Sequence, residues 1–230
     1  MHIRKNSKAP LALVLALTAG IGLSACSSGD SGSTDTSAAA ATSSTVKTPE
    51  PAAVVRAIPG GTTAVALDAD FVAALGTLGL TPGTVGTATF ADGTLTFPIT
   101  GGTVTLYDKD SGYRPWVQGV ILHEGSGFSL TAGGTTVSLA NFTVDPGKPA
   151  RLFGDVSVNG KLAAPSAPLF NLNGKNLEPV TMDADGSAVL QGTRVELSEE
   201  AAGLLNQTFK TDALKANLLI GIATITAKTA

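Results

Sequence analysis

The chain has 230 residues, with 15 Lys and Arg against 18 Asp and Glu, a net charge of −3 and a single cysteine. That acidic balance gives a nucleic-acid backbone no basic face to bind. One cysteine also excludes an internal disulfide or a thiolate metal cluster, so the fold has to rest on its apolar core.

In chain order, Arg4, Lys5 and Lys8 make a cationic start, and Leu11 to Leu23 is an apolar run too short to span a bilayer comfortably. Leu23-Ser24-Ala25-Cys26 then resembles a bacterial lipobox. The resemblance implies that residues 1–25 are removed and that Cys26 takes a diacylglycerol on its thiol and an acyl chain on its new amino group. Such a chain would be exported and held on the outer face of the cytoplasmic membrane. Each buried methylene contributes about 0.8 kcal/mol, so several acyl chains hold durably where one holds marginally. Cleavage removes three basic residues and no acidic ones, which takes the charge from −3 to −6. His2 leaves as well, so His123 becomes the sole histidine.

Residues 26–61 read as the lipidated cysteine and a tether. The stretch from Ser27 to about Pro59 is Ser, Thr, Ala and Gly with Pro49 and Pro51, too little apolar surface to offset chain entropy. Residues 62–230 have the size of one domain with its own core. They are rich in Gly, Thr and Val and are broken by turn signals at short intervals, which predicts many short strands.

The expected strands are Thr63 to Leu67, Thr84 to Phe90, Thr94 to Ile99, Thr103 to Tyr107, Val117 to Leu122, Phe128 to Thr131, Thr135 to Phe142, Arg151 to Val158, Val189 to Leu197 and Ile220 to Ala227. Between them Ala91-Asp92-Gly93, Thr100-Gly101-Gly102, Ala132-Gly133-Gly134 and Asn159-Gly160 read as tight turns. Two helices interrupt the pattern, one capped by Asp68 over Ala69 to Leu75 and one capped by Ser198 over Glu199 to Leu205. Val65-Ala66-Leu67-Asp68 parallels Val195-Glu196-Leu197-Ser198, so the two segments make a candidate strand-helix-strand repeat. The predicted fold is mainly β with two short helices, closed as a β-sandwich or flattened barrel.

The pieces Gly119 to Leu130, Val137 to Phe142, Phe153 to Val156, Pro168 to Leu172 and Val195 to Ala202 with Phe209 resemble secreted actinobacterial domains related to the HtaA haem-uptake family. The likeness covers about residues 95 to 226. It implies a β-rich fold and a haem held by a tyrosine with a nearby histidine. The family's amino-terminal Trp and Tyr pattern is missing, and Val65 to Leu75 stands in its place.

Both tyrosines and the sole tryptophan fall in Tyr107 to Trp116, which reads as a loop. Tyr107, Tyr113, Arg114 and Trp116 have the makings of a small-ligand or glycan platform, because flat apolar faces stack and charges orient. They are equally what a loop uses to fold back onto a sheet. Asp108, Asp110 and Gly112 resemble the start of a calcium loop, but oxygen ligands at later positions are missing, and Asp183-Ala184-Asp185-Gly186 reads as a plain turn.

His123 has two readings, a half-exposed residue at a strand end or a ligand-facing histidine. Ser126 lies near it in sequence, yet no Gly-x-Ser-x-Gly elbow is present, and His123-Glu124-Gly125 lacks the second histidine of a zinc-protease helix. No phosphate loop is present either. The expectation is a lipid-anchored, non-enzymatic binding or structural domain with no cofactor, whose partner is an envelope protein, a glycan or a small ligand. The alternative that the resemblance implies is a haem receptor using Tyr107 or Tyr113, with His123 in support.

Overall fold

The computed structural model describes residues 48–229, so Cys26, the expected export signal and most of the expected tether lie outside the described residues. In chain order the elements are β1 (Ala53–Val55), β2 (Gly61–Leu67), α1 (Ala69–Thr77), β3 (Thr81–Gly86), β4 (Thr89–Ala91), β5 (Thr94–Pro98), β6 (Gly101–Leu106), β7 (Val117–Ala132), β8 (Thr135–Asp145), β9 (Arg151–Val158), β10 (Lys161–Asn173), β11 (Thr181–Met182), β12 (Ala188–Leu197), α2 (Glu199–Phe209) and β13 (Leu219–Ala227). All of them fall within one unit, Val46–Ala230.

The strands form one antiparallel sheet in the order β1-β6-β7-β8-β9-β10-β12-β13-β2-β5-β4, with β11 on β12 and β3 on β7. The sheet curls into a half-barrel, bringing the β2–β5 flank back over β7. The seam is stitched at the corner between β5 and β6, where the Thr100 amide donates to the Leu122 carbonyl at 2.8 Å and the Glu124 amide donates to Thr100 Oγ1 at 3.0 Å.

Three of the four expected turns connect paired strands. Asp92-Gly93, Gly133-Gly134 and Asn159-Gly160 each hold two successive residues at positive φ, the backbone that matches the twist of a hairpin. Gly101 and Gly102 instead lie inside β6, and the chain there crosses from one flank of the sheet to the other.

Other expectations shift for identifiable reasons. Val117 to Leu122 and Phe128 to Thr131 are two halves of β7, joined through a bulge between His123 and Gly127. Thr84 to Phe90 divides into β3 and β4 where Gly86 turns at φ 61°. The long β10 contains Pro165 and Pro168, residues that argue against a strand, and it accommodates them with register shifts at Leu162, Ala164 and Pro168. The fold also begins earlier than residue 62, because β1 pairs with β6 and Ile58 is buried.

Both helices start as their caps require. Asp68 accepts from the Asp70 and Phe71 amides, and Ser198 Oγ accepts from the Ala201 amide at 2.9 Å. Phe71 and Leu75 of α1 and Ala201, Ala202 and Leu205 of α2 enter the larger core. Each buried Phe or Leu there contributes about 1.5–3 kcal/mol. The two helical segments share this local chemistry and then diverge. After α2 the chain returns as β13 against β12, whereas after α1 it leaves for β7.

Bulges in neighbouring strands line up across the sheet. The β7 bulge faces a bulge in β8 between Ala140 and Thr143, and beyond Asp155 of β9 lies the irregular stretch of β10 around Ser166. A polar brace ties them together. The Gly125 amide donates to Asn141 Oδ1, Asn141 Nδ2 donates to Asp155 Oδ2, and the Ser166 amide donates to Asp155 Oδ1, each at 2.9 Å. Asn141 sits at φ 56°, a left-handed position that Asn tolerates better than most residues. Both hydrogen bonds to Asp155 hold its carboxyl below the usual range, with the Asn141 amide as the larger cause.

Glycine is required beside the brace by close approach. A Cβ on Gly127 would collide with the Leu139 carbonyl, and one on Gly154 would lie 2.8 Å from both the Leu169 and Phe142 side chains. Asp155→Ala is expected to lower unfolding stability in urea by about 0.5–1.5 kcal/mol, since it removes two solvent-exposed hydrogen bonds, from Asn141 Nδ2 and from the Ser166 amide. Gly127→Ala should cost more than Asp155→Ala in the same assay.

Candidate functional site

The interior face of the half-barrel carries two apolar spaces in series. Along β6 and β7 the residues Val104, Leu106, Val117 and Ile121 share one face, because directly paired residues of antiparallel strands point the same way. They form one wall of a groove of about 80 Å3, together with Val55 and Ile58. Val180, Ala188, Leu190, Ile225 and Ala227 form the facing wall. Behind Ile225, which lines both spaces, lies a second cavity of about 50 Å3 bordered by Phe97, Phe128, Phe142, Val195 and Ala223. Its polar lining groups are Thr63, His123 and Thr193.

His123 follows the groove residues on β7 and is 1% exposed, which corrects the expectation of a half-exposed strand-end residue. Its Nε2 meets Thr63 Oγ1 at 2.8 Å and so links β7 to β2 across the seam of the half-barrel. Its Nδ1 has no partner within hydrogen-bond geometry, although the backbone of Phe142, opposite it on β8, favours the charged ring slightly. Burial outweighs that effect and brings the imidazole from its ordinary 6.5 down to about 4, so the ring is neutral at physiological pH. Ser126 is also buried, and its hydroxyl donates to the His123 backbone carbonyl at 3.1 Å. The nucleophile-base contact that a serine hydrolase needs is therefore not formed.

Tyr107 to Trp116 joins β6 to β7 and caps the opposite end of their ladder. The Tyr107 amide donates to the Trp116 carbonyl at 2.7 Å, and the Tyr107 and Tyr113 rings meet edge to face with centroids 4.7 Å apart. Arg114 is exposed and folds onto its own loop, donating from Nη1 to the Tyr113 carbonyl at 2.8 Å. The Asp108 carboxylate accepts from the Asp110 amide and caps a short 3-10 turn, Lys109–Ser111, so it serves the loop itself. Among the described residues no group of three His, Cys, Asp or Glu side chains is placed to hold a metal ion.

The structure thus gathers Tyr107, Tyr113, Arg114 and Trp116 at one end of the groove and sets His123 beyond the other. From Val117 to His123 the strand covers about 20 Å at about 3.3 Å per residue. The groove walls themselves were missed by sequence reasoning. Ala52 to Val55 and Ile58 were assigned to the tether, although Ala-Ala-Val-Val is an apolar break in a hydroxyl-rich segment and could have marked a strand. Val180 and Leu190 carried no signal that distinguishes a groove from a core.

No protein-family model and no curated protein matches the chain. Among solved structures, it is similar to the C-terminal domain of HtaA from Corynebacterium glutamicum, with a TM-score of 0.52 and 16% identity over 74% of this chain and 97% of that one. A domain-swapped dimer of a variant of the same domain gives a TM-score of 0.44 at 16% identity, covering 70% of this chain and 92% of that one. At this identity the first likeness is one of fold.

His123 generates a pH prediction. Its folded pKa lies below its unfolded value, so its contribution is fully present above about 6.5 and is lost as pH falls toward about 4. The loss should approach about 2.5 kcal/mol, measured as a falling urea midpoint between pH 7 and pH 4.5. His123→Gln can still meet Thr63 but does not titrate. It is expected to flatten the profile in that window and leave the carboxylate-dependent loss at lower pH.

Proposed function

We propose that this chain is a cell-envelope lipoprotein, held by lipidated Cys26 on the outer face of the cytoplasmic membrane and displaying a non-enzymatic, β-rich binding domain. The binding surface on this reading is the groove between β6–β7 and β12–β13, with the Tyr107 to Trp116 loop at its mouth. The observation that carries it is the groove itself, a slot with an almost wholly apolar lining beside the loop that concentrates both tyrosines and the only tryptophan. Sites for small ligands are usually concave and apolar, with a few polar groups at the edge. The buried, separately engaged Ser126 and His123 support the non-enzymatic part.

A second reading is that the ligand is haem. The resemblance of the sequence to the HtaA haem-uptake family supports it, as do two adjacent tyrosines at the groove mouth, either of which could supply an axial oxygen. On this reading Tyr107 or Tyr113 would hold the iron, and His123 lies beyond the far end of the groove from both.

Two measurements test these readings. Intact-mass analysis of the membrane fraction should find Cys26 at the amino terminus with added acyl mass, and Cys26→Ala should move the protein out of that fraction. Titration of the domain with haem, followed by absorbance, should saturate near one haem per chain if the second reading holds. Tyr107→Phe or Tyr113→Phe should then weaken the band, whereas a flat titration removes haem as the ligand.

A further inference from the structure

We propose that the loop end of the domain faces the bilayer and that the groove receives one acyl chain of a membrane lipid. The proposal rests on the lipid-anchor reading of Cys26 for its orientation and on the groove for its ligand.

The first argument is where the tether enters. The Ala52 amide donates to the Leu106 carbonyl at 2.8 Å, and Ala53 pairs with Leu106. The chain arriving from Cys26 therefore joins the fold beside Tyr107, at the mouth of the groove and on one of its walls. The segment from Cys26 to Ala53 can span at most about 100 Å at 3.3–3.6 Å per residue. An anchor at Cys26 tethers this end of the domain to the membrane.

The second argument is what that end presents. Half-buried Tyr107, Tyr113 and Trp116 lie on a loop where Lys109 and Arg114 are balanced by Asp108 and Asp110, and amphipathic aromatic rings suit the boundary between water and lipid. Val54 at 47% exposure, Val180 at 36% and Met182 at 60% are among the few large apolar side chains left in water by the described residues. Val54 belongs to β1 on one flank of the groove. Val180 lines the other flank, and Met182 lies in β11 beside it. Burying them in an acyl boundary would remove apolar area from water at about 25 cal/mol per Å2.

The third argument is the shape of the slot. About 80 Å3, extended by about 50 Å3 behind Ile225, is well below the few hundred Å3 of a pocket that engulfs a drug-sized ligand. A volume of this size seats a few methylenes of an unbranched acyl chain, with the rest of the chain and its headgroup at the loop. Ile225 lines both spaces.

Trp116 is the only tryptophan, so its emission reports on this loop alone. The test is to add the folded unit, Val46–Ala230, to vesicles of phosphatidylglycerol and phosphatidylethanolamine carrying brominated acyl chains. The expected result is a blue shift of Trp116 and quenching by the bromines. Vesicle partitioning should weaken roughly tenfold, about 1.4 kcal/mol, in Val180→Glu at the rim and in Leu190→Gln on the groove wall. Circular dichroism on each variant separates loss of binding from loss of fold.

Unchanged emission with vesicles overturns the proposal. Quenching that Leu190→Gln leaves intact also overturns it, because the loop would then rest on the bilayer with an empty groove. Quenching by a soluble brominated fatty acid but not by vesicles overturns the membrane source. Mass analysis of Cys26 stands apart. An unmodified Cys26 with vesicle quenching retained would remove the anchor and leave the groove proposal standing, and the reverse pattern would do the opposite.

Discussion

The bend across β7, β8, β9 and β10 is the constraint on which the rest of this structure depends. A sheet of this width cannot cover its own interior face unless its long strands turn over, and a β-bulge is the local device for that turn. Here the bulges are aligned and pinned from outside by Asn141 and Asp155, which convert an irregularity in one strand into a crease through neighbouring strands. The cost is unpaired backbone in the bulges, and the brace offsets it by satisfying the Gly125 and Ser166 amides with side-chain oxygens.

The crease divides the interior. On one side the strands pack beneath α1 and α2 around Phe128, Leu139, Val156 and Leu197, with a space of about 190 Å3 left between α2 and the strands at Leu139, Val156 and Leu169. On the other side a smaller cluster, Ile58, Ile99, Ile121, Val144 and Ile225, supports walls that do not quite meet. The groove opens on the half of the curled sheet that neither helix covers. His123 stands at the boundary, beside the β7 bulge and bonded to Thr63 across the seam, where a neutral imidazole can close the half-barrel without a charge in the apolar interior. The chain enters the fold beside the groove mouth, where Ala53 pairs with Leu106.

Much of this architecture was legible in the sequence because it rests on local chemistry. Asp68 and Ser198 mark helix starts by capping, and Asp92-Gly93, Gly133-Gly134 and Asn159-Gly160 mark hairpins by positive φ. The fold class follows from those signals together with the strand composition. Long-range features were hidden for the same reason. Thr100-Gly101-Gly102 looks like any hairpin turn, and only pairing shows that it carries the chain from one flank to the other. Pro165 and Pro168 concealed β10, because a bulged strand that tolerates proline has no period-2 signature. In the candidate site, the aromatic loop was visible by residue type. The burial of His123 and its distance from that loop depend on β7 running unbroken past β6, which the glycine-rich stretch after His123 disguised.

The central claim, that the slot between β6–β7 and β12–β13 is where this domain binds, is tested most directly by methyl resonances. The isotopically labelled domain would be titrated with a short-chain phospholipid below its micelle concentration. The account predicts shifts at Val104, Leu106, Val117, Ile121, Leu190 and Ile225 with still resonances at Leu75, Leu139 and Leu205. Shifts centred beneath the helices, or none at saturating ligand, would contradict it.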